Sequence, residues 1–208
     1  RALLALLYDA QGRSDEALAL LSTSSQNDAL ISQVRDVQVR ILTNKKRYNE
    51  AYAIAATAAQ APTAGLSDYS RLGDVLEAMD RHVEAANAYG RALALANQQG
   101  MKDDLWSLQL LQASALEQAN RWPEAKAILQ QALVTAPDQA LLLNFLGYAK
   151  LERGEDIDAA EAMIRKASEL SPDDASITDS LGWAEFKRGK TDEAIDTLQR
   201  AAQKDPDQ

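Results

Sequence analysis

The sequence predicts an all-α protein assembled from about six copies of one helix-turn-helix unit, and three observations carry that expectation. A small residue following a turn recurs as Ala17, Ala51, Ala85, Ala125, Ala160 and Ala194, at steps of 34, 34, 40, 35 and 34. Seven positions on, a second small residue recurs as Ser24, Ala58, Ala92, Ala132, Ala167 and Ala201, and a Leu-Gly pair precedes three copies as Leu72-Gly73, Leu146-Gly147 and Leu181-Gly182. All five prolines fall at element boundaries, and no alternating β-branched run competes with the helical pattern.

In order, the copies span about 1–31, 32–65, 66–105, 106–139, 140–174 and 175–208. The first helix of the first copy ends at Gly12, as its counterparts end at Gly154 and Gly189 in the last two, because glycine readily takes the left-handed conformation of such ends. The second copy fits least well, with Gln38-Val39 in place of the Leu-Gly pair and Pro62 between helices. In the fourth copy Pro123 sits near the start of its second helix, where its missing N–H costs nothing, and Pro137 ends it. Pro172 and Pro206 close the fifth and sixth copies in the same way, since an X-Pro step disfavours a helix behind it. Small residues have a packing role: Gly147 with Ala160, and Gly182 with Ala194, mark close helix crossings that Leu146, Ile164, Leu181 and Leu198 surround. The step of 40 inserts six residues around 97–104, predicting longer flanking helices or a protruding loop, and a phase break between two three-repeat halves near Gly100.

With 46% hydrophobic and 25% charged residues, the 208-residue chain is an ordinary globular protein with ample core. Its net charge of −9 opposes affinity for nucleic acid and anionic membranes. The absence of cysteine excludes thiol chemistry, disulfides and cysteine-ligated zinc, and one histidine, His82, gives little scope for a triad or a multi-histidine metal site. No catalytic residue, cofactor or metal is therefore expected. Gly189-Lys190-Thr191 resembles the end of a phosphate-binding loop, but Ala184 stands where that loop needs its first glycine, in a helix-turn-helix setting. The pairs Asp103-Asp104 and Asp173-Asp174 are expected at helix starts, where carboxylates accept backbone N–H bonds, and Trp122 is expected in the core. The opening apolar run Arg1–Leu7 is too short to span a bilayer, so no direct membrane insertion is expected. The lack of a starting methionine predicts a fragment or processed product.

These residues resemble the tetratricopeptide repeat, most closely in the sixth copy, where Leu181, Gly182, Ala194, Leu198, Ala201 and Pro206 fit its pattern. The resemblance implies a right-handed α-solenoid whose first helices line a concave groove, serving as a non-enzymatic scaffold or adaptor that binds a peptide or protein segment there. On that pattern the groove presents Leu141, Asn144, Tyr148, Leu151 and Glu152 from the fifth copy, and Ser176, Asp179, Trp183, Phe186 and Lys187 from the sixth. This apolar and aromatic patch either anchors a partner or packs internally. Earlier copies present Asp36, Arg40, Thr43 and Asn44, then Asp74 and Glu77, then Ser114, Glu117 and Gln118, a polar and mainly acidic surface implying a basic or amphipathic peptide. The Lys and Asn set with which chaperone-binding members hold a C-terminal carboxylate is not reproduced. The alternative functions are a single-stranded-RNA-binding helical repeat, which the charge opposes, and a structural or oligomerisation segment of a larger envelope protein. The runs LLNFLGYAKLERG and ITDSLGWAEFKRG look similar to repeats of bacterial envelope-associated adaptors, which leans the expected compartment toward the bacterial envelope over the cytoplasm. Solenoid ends need polar caps, so further repeats are expected beyond one or both ends.

Overall fold

A computed structural model describes residues 1–22, 28–101 and 105–204; Ser24, the pair Asp103-Asp104 and Pro206 lie outside the described residues. The described residues form twelve helices and no strand. They are α1 (Ala2–Ala10), α2 (Ser14–Ser22), α3 (Asp28–Asn44), α4 (Tyr48–Gln60), α5 (Leu66–Ala78), α6 (His82–Gln98), α7 (Trp106–Gln118), α8 (Trp122–Thr135), α9 (Ala140–Glu152), α10 (Ile157–Leu170), α11 (Ala175–Lys187) and α12 (Thr191–Lys204).

The turn inside each copy is the most regular part of the structure. Gly12, Lys46, Asp80, Asn120, Gly154 and Gly189 all take positive φ, from 57° to 78°. One backbone bond then closes every turn, from the N–H of the next residue to the carbonyl five positions back: Arg13 to Tyr8, Arg47 to Leu42, Arg81 to Leu76, Arg121 to Leu116, Glu155 to Lys150 and Lys190 to Glu185, at 2.8–3.0 Å. This bond satisfies a carbonyl that a helix end otherwise leaves orphaned. Glycine fills three of these joints without strain, whereas Lys46, Asp80 and Asn120 carry the roughly 1–2 kcal/mol that a side chain meets in this conformation. The first four turns run straight into an Arg-x-x-Glu pair. Arg13–Glu16, Arg47–Glu50, Arg81–Glu84 and Arg121–Glu124 each make two parallel bonds of 2.6–2.8 Å. Bonding to their arginines holds the Glu16, Glu50 and Glu84 carboxyls below the usual carboxylate range.

Each close crossing depends on a residue with no room for more. A Cβ on Gly147 would stand 2.8 Å from Ile164 Cγ1 and 2.9 Å from the Ala160 carbonyl, and one on Gly182 would stand 2.7 Å from Leu198 Cγ. Ala160 and Ala194 are buried at these crossings as expected. In the third copy Gly73 makes the same room for the ring of Tyr89, which is fully buried. Trp122 is buried too.

The chain divides into two compact units, residues 1–125 and 126–208, with the boundary inside α8. The division does not fall at 97–104, where the sequence predicted a phase break. α6 and α7 pack on each other within the first unit, and Gly90 lets Gln112 approach the α6 backbone. The insertion is partly absorbed as helix, since α6 has 17 residues against 13 in α4. In the first unit Ala5, Ala17, Leu21, Val37 and Ile41 form one core cluster, and Val39, Leu42, Ala51, Ala55 and Val75 another. In the second, Leu151, Ala160, Ile164, Leu181 and Ala184 pack together, beside a cluster of Ala140, Leu143, Ala167 and Ile177.

Candidate protein-binding site

Two surfaces hold most of the residues that the repeat pattern marked for contact. In the second unit, α9 and α11 bring Glu152, Trp183, Phe186 and Lys187 together. The Trp183 and Phe186 rings stack with centroids 5.5 Å apart and planes 26° from parallel. Trp183 Nε1 donates to Glu152 Oε1 at 2.6 Å, and Lys187 Nζ sits 4.8 Å over the indole and 3.5 Å from Glu152. The Trp183 bond holds the Glu152 carboxyl below the usual range, with Lys187 adding to it. Trp183 is thus engaged at its N–H and covered on its ring, which makes it a support for the surface. The open apolar area belongs to Phe186, 51% exposed, Leu141, 44%, and Tyr148, 40%. Partial burial, with Glu152 and Asp179 nearby, pushes the Tyr148 phenol up. Ser176 and Asp179 are exposed, and Asn144 is half-buried with its Oδ1 enclosed and without a hydrogen-bond partner among the described residues.

Leu151 does not belong to this surface. It is 3% exposed and packs against Leu181 and Ala184. Leu151 and Phe186 each follow a Leu-Gly pair by the same four residues, from Gly147 and Gly182. The position implied by the repeat pattern is a core position where a following helix covers it, as α11 covers Leu151, and an open one at Phe186.

The first unit holds a cavity of about 520 Å³ lined by α1, α3 and α5. Asp36, Arg40, Thr43, Asn44 and Asp74, all marked by the sequence, line it together with Leu6, Val37, Val39, Leu66, Ser67, Ser70, Arg71 and Val75. The sequence reading missed Arg71. It is only 7% exposed and bridges α5 to α3 through Asp36, with Asp68 Oδ1 at 3.2 Å on its own helix. The available signal was the Asp68-x-x-Arg71 spacing, which puts both side chains on one helix face. Desolvation lowers the Arg71 pKa while Asp74 counters it. The other Asp68 oxygen accepts the Gly65 N–H at 2.9 Å, so one carboxylate starts α5 and holds the buried cation.

The acids that looked like an open acidic surface are engaged within the unit. Asp36 holds Arg71, Asp74 accepts from Tyr89 OH at 2.8 Å, and Glu77 meets His82 Nδ1 at 3.2 Å and accepts from Gln118 Nε2 at 2.9 Å. Desolvation nonetheless keeps Asp74 above the usual carboxylate range, outweighing the Tyr89 bond. Ser114 and Glu117 are half-buried on α7, outside the cavity lining. Arg40 is exposed and has no hydrogen-bonding or ionic partner among the described residues. The hydroxyl of Thr43 is enclosed and unpaired among the described residues. Among the described residues no group of three or more His, Cys, Asp or Glu could hold a metal ion, and no helix is long and apolar enough to cross a membrane.

The comparisons with known proteins agree on the architecture. A family model described as tetratricopeptide repeat matches residues 110–156 and 151–208. No curated protein matches the sequence. Among solved structures, BtubC (BKLC) from P. vanneervenii is 17% identical with a TM-score of 0.73, over 91% of this chain and 87% of that one. MamA from Desulfovibrio magneticus RS-1 is 14% identical with a TM-score of 0.66, over 88% and 99%. YrrB, described as a TPR protein with an unusual peptide-binding site, is 18% identical with a TM-score of 0.58, over 84% and 86%. At these identities the likeness is one of fold, an all-α helical-repeat solenoid. The sequence match identifies residues 110–208 as tetratricopeptide repeats, and the same closing bond at six turns carries one helix-turn-helix pattern through the described residues.

Proposed function

We propose that the protein is a non-catalytic adaptor that receives an amphipathic segment of a partner protein in the groove between α1, α3 and α5. The observation that carries this reading is the 520 Å³ cavity, which combines the apolar side chains of Leu6, Val37, Val39, Leu66 and Val75 with a few fixed polar groups. Such a balance suits peptide side chains that need both burial and orientation. The α9–α11 face, with Leu141, Tyr148 and Phe186 open, supplies a second contact area for the same or another partner. A helical-repeat surface of this kind gives affinity by shape and a few anchors, so truncating single groove residues is expected to matter unevenly.

The test is selection from a displayed library of random peptides on the purified protein, with Ser67→Trp as the counter-selection. Ser67 is exposed and lines the groove, so the indole fills the cavity without disturbing the core. Recovery of clones that bind the wild-type protein and not Ser67→Trp is the expected result. Clones that bind both equally would move the site out of this groove, and loss only in Tyr148→Ala with Phe186→Ala would move it to the α9–α11 face.

A further inference from the structure

A smaller cavity of about 180 Å³ lies between α4, α5 and α6. Its α5 wall is Tyr69, Leu72 and Leu76, whereas the groove takes Ser67, Ser70, Arg71 and Asp74 from the same helix. At about 100° per residue these two sets fall on opposite faces of α5, so the cavities open on different sides of it. One face of α6 supplies Glu84, Asn87 and Arg91, spaced three and four apart, and α4 supplies Tyr52. Glu84 is spent on Arg81 through two bonds of 2.6 and 2.7 Å, and the same guanidinium lies 4.6 Å from the Tyr52 ring centre. The exposed side chains of Asn87 and Arg91 and the hydroxyl of half-buried Tyr69 have no hydrogen-bonding or ionic partner among the described residues. The cavity thus joins two aromatic rings and an apolar floor to one uncompensated cation.

We infer that this cavity binds a free small molecule, an aromatic monocarboxylate with a single ring. Size sets the ring count: a cavity of about 150 Å³ is enough to hold benzene, so about 180 Å³ takes one ring with its substituent and is too small to bury two fused rings. Tyr52 and Tyr69 favour an aromatic occupant, which such rings contact offset or edge-on, and Arg81 against Tyr52 holds that wall in place. Charge sets the substituent. With Glu84 neutralised by Arg81, the Arg91 guanidinium offers paired N–H donors that the two oxygens of a carboxylate accept in parallel. Asn87 and the Tyr69 hydroxyl are further donors on the same wall. A dianion fits less well, because one cation faces it beside the Glu84 carboxylate in a chain of net charge −9. The site stands on its own observations and does not depend on the adaptor reading.

The experiment titrates the whole nitrogen-15-labelled protein with sodium benzoate and reads amide chemical shifts, with benzamide as the uncharged ring and sodium acetate as the carboxylate without a ring. Benzoate is expected to bind with a dissociation constant of about 0.1–1 mM, the range open to so small a ligand, and to move the amides around Leu72, Asn87 and Arg91. Benzamide and acetate should each bind at least about fivefold more weakly. In Arg91→Gln the benzoate affinity should fall by about fivefold to tenfold, to the level of benzamide, while benzamide binding stays within about twofold. Asn87→Trp, whose indole fills the cavity, should abolish the shifts from both ring compounds. Ser67→Trp, on the opposite face of α5, should leave benzoate binding within about twofold. Asn87 and Arg91 are exposed, so circular dichroism of both variants should match the wild type, and the benzoate and benzamide comparison on the wild type decides the matter if one of them fails to fold. No shift at about 10 mM benzoate, tenfold above the expected range, overturns the inference. So do shifts centred away from α5 and α6, equal affinity for benzoate and either control, or benzoate binding undiminished in Arg91→Gln or Asn87→Trp. Loss of benzoate binding in Ser67→Trp overturns it as well. Each of these outcomes leaves the adaptor reading to its own test.

Discussion

The groove of the first unit and the aromatic face of the second are built from the same register of the same repeat, yet they solve opposite problems. Around α3 and α5, acids and Arg71 are locked into pairs and one cation is left open beside an apolar cavity. Around α9 and α11, the polar groups Glu152 and Lys187 hold Trp183 in place and the open surface is apolar. Register decides which residues reach a surface. Which of them are available for binding is decided by whether a neighbouring side chain has already satisfied them.

The comparison breaks most sharply at Leu151 and Phe186, which share a register position under different cover. Leu151→Ala should cost about 2–5 kcal/mol, as for a closed core site, whereas Phe186→Ala should stay within about 0.5 kcal/mol in urea unfolding. Equal losses would mean that Phe186 is a core residue of the folded unit. Next in size, Ala194→Leu should overpack the α11–α12 crossing by roughly 1–3 kcal/mol, read as a lower denaturant midpoint at unchanged slope. Smaller again is the exchange of joint residues between units. Gly154→Ala should destabilise by about 1 kcal/mol, while Lys46→Gly should stabilise by up to about 1 kcal/mol because it relieves the same positive φ.

The smallest effect separates the units by sign, and pH reads it. Asp74 in the first unit is raised by desolvation, so its contribution is present below the unfolded carboxylate pKa and is lost as pH rises through its folded value. Asp74→Asn should therefore gain stability relative to the wild type between about pH 4 and 7. Asp174, in the second unit, also feels desolvation, but bonds from Ser176 and the Ile177 N–H outweigh it and lower its pKa. Its contribution is present above the unfolded pKa and lost as pH falls through the folded value, so Asp174→Asn should lose ground relative to the wild type as pH rises toward about 4 and hold level above that. Parallel pH trends in thermal melts of the two variants would contradict this assignment.

Much of the fold was legible because it is written in short-range terms. Gly147, Gly182 and the alanines opposite them report helix crossings, since only a missing side chain permits such an approach. Half of the joints were legible as Gly12, Gly154 and Gly189. Lys46, Asp80 and Asn120 were not, because the closing backbone bond and not the side chain imposes the conformation. The site was read less completely. Arg40, Asp74 and Thr43 were placed in the groove, but the pairing of Arg71 with Asp36 joins residues 35 apart in sequence, and spacing within one helix does not reveal it. The burial of Leu151 likewise depends on α11, a later copy.

The six closed turns have a bearing on how such a chain can change length. Each joint is complete within its own seven or so residues, so its geometry does not depend on how far away the next one lies. The 40-residue step shows this: the joints at Asp80 and Asn120 are the same, and extra residues lengthen α6 between them. Length can thus change at the far end of a helix while the corners stay fixed, which makes the helices the adjustable parts.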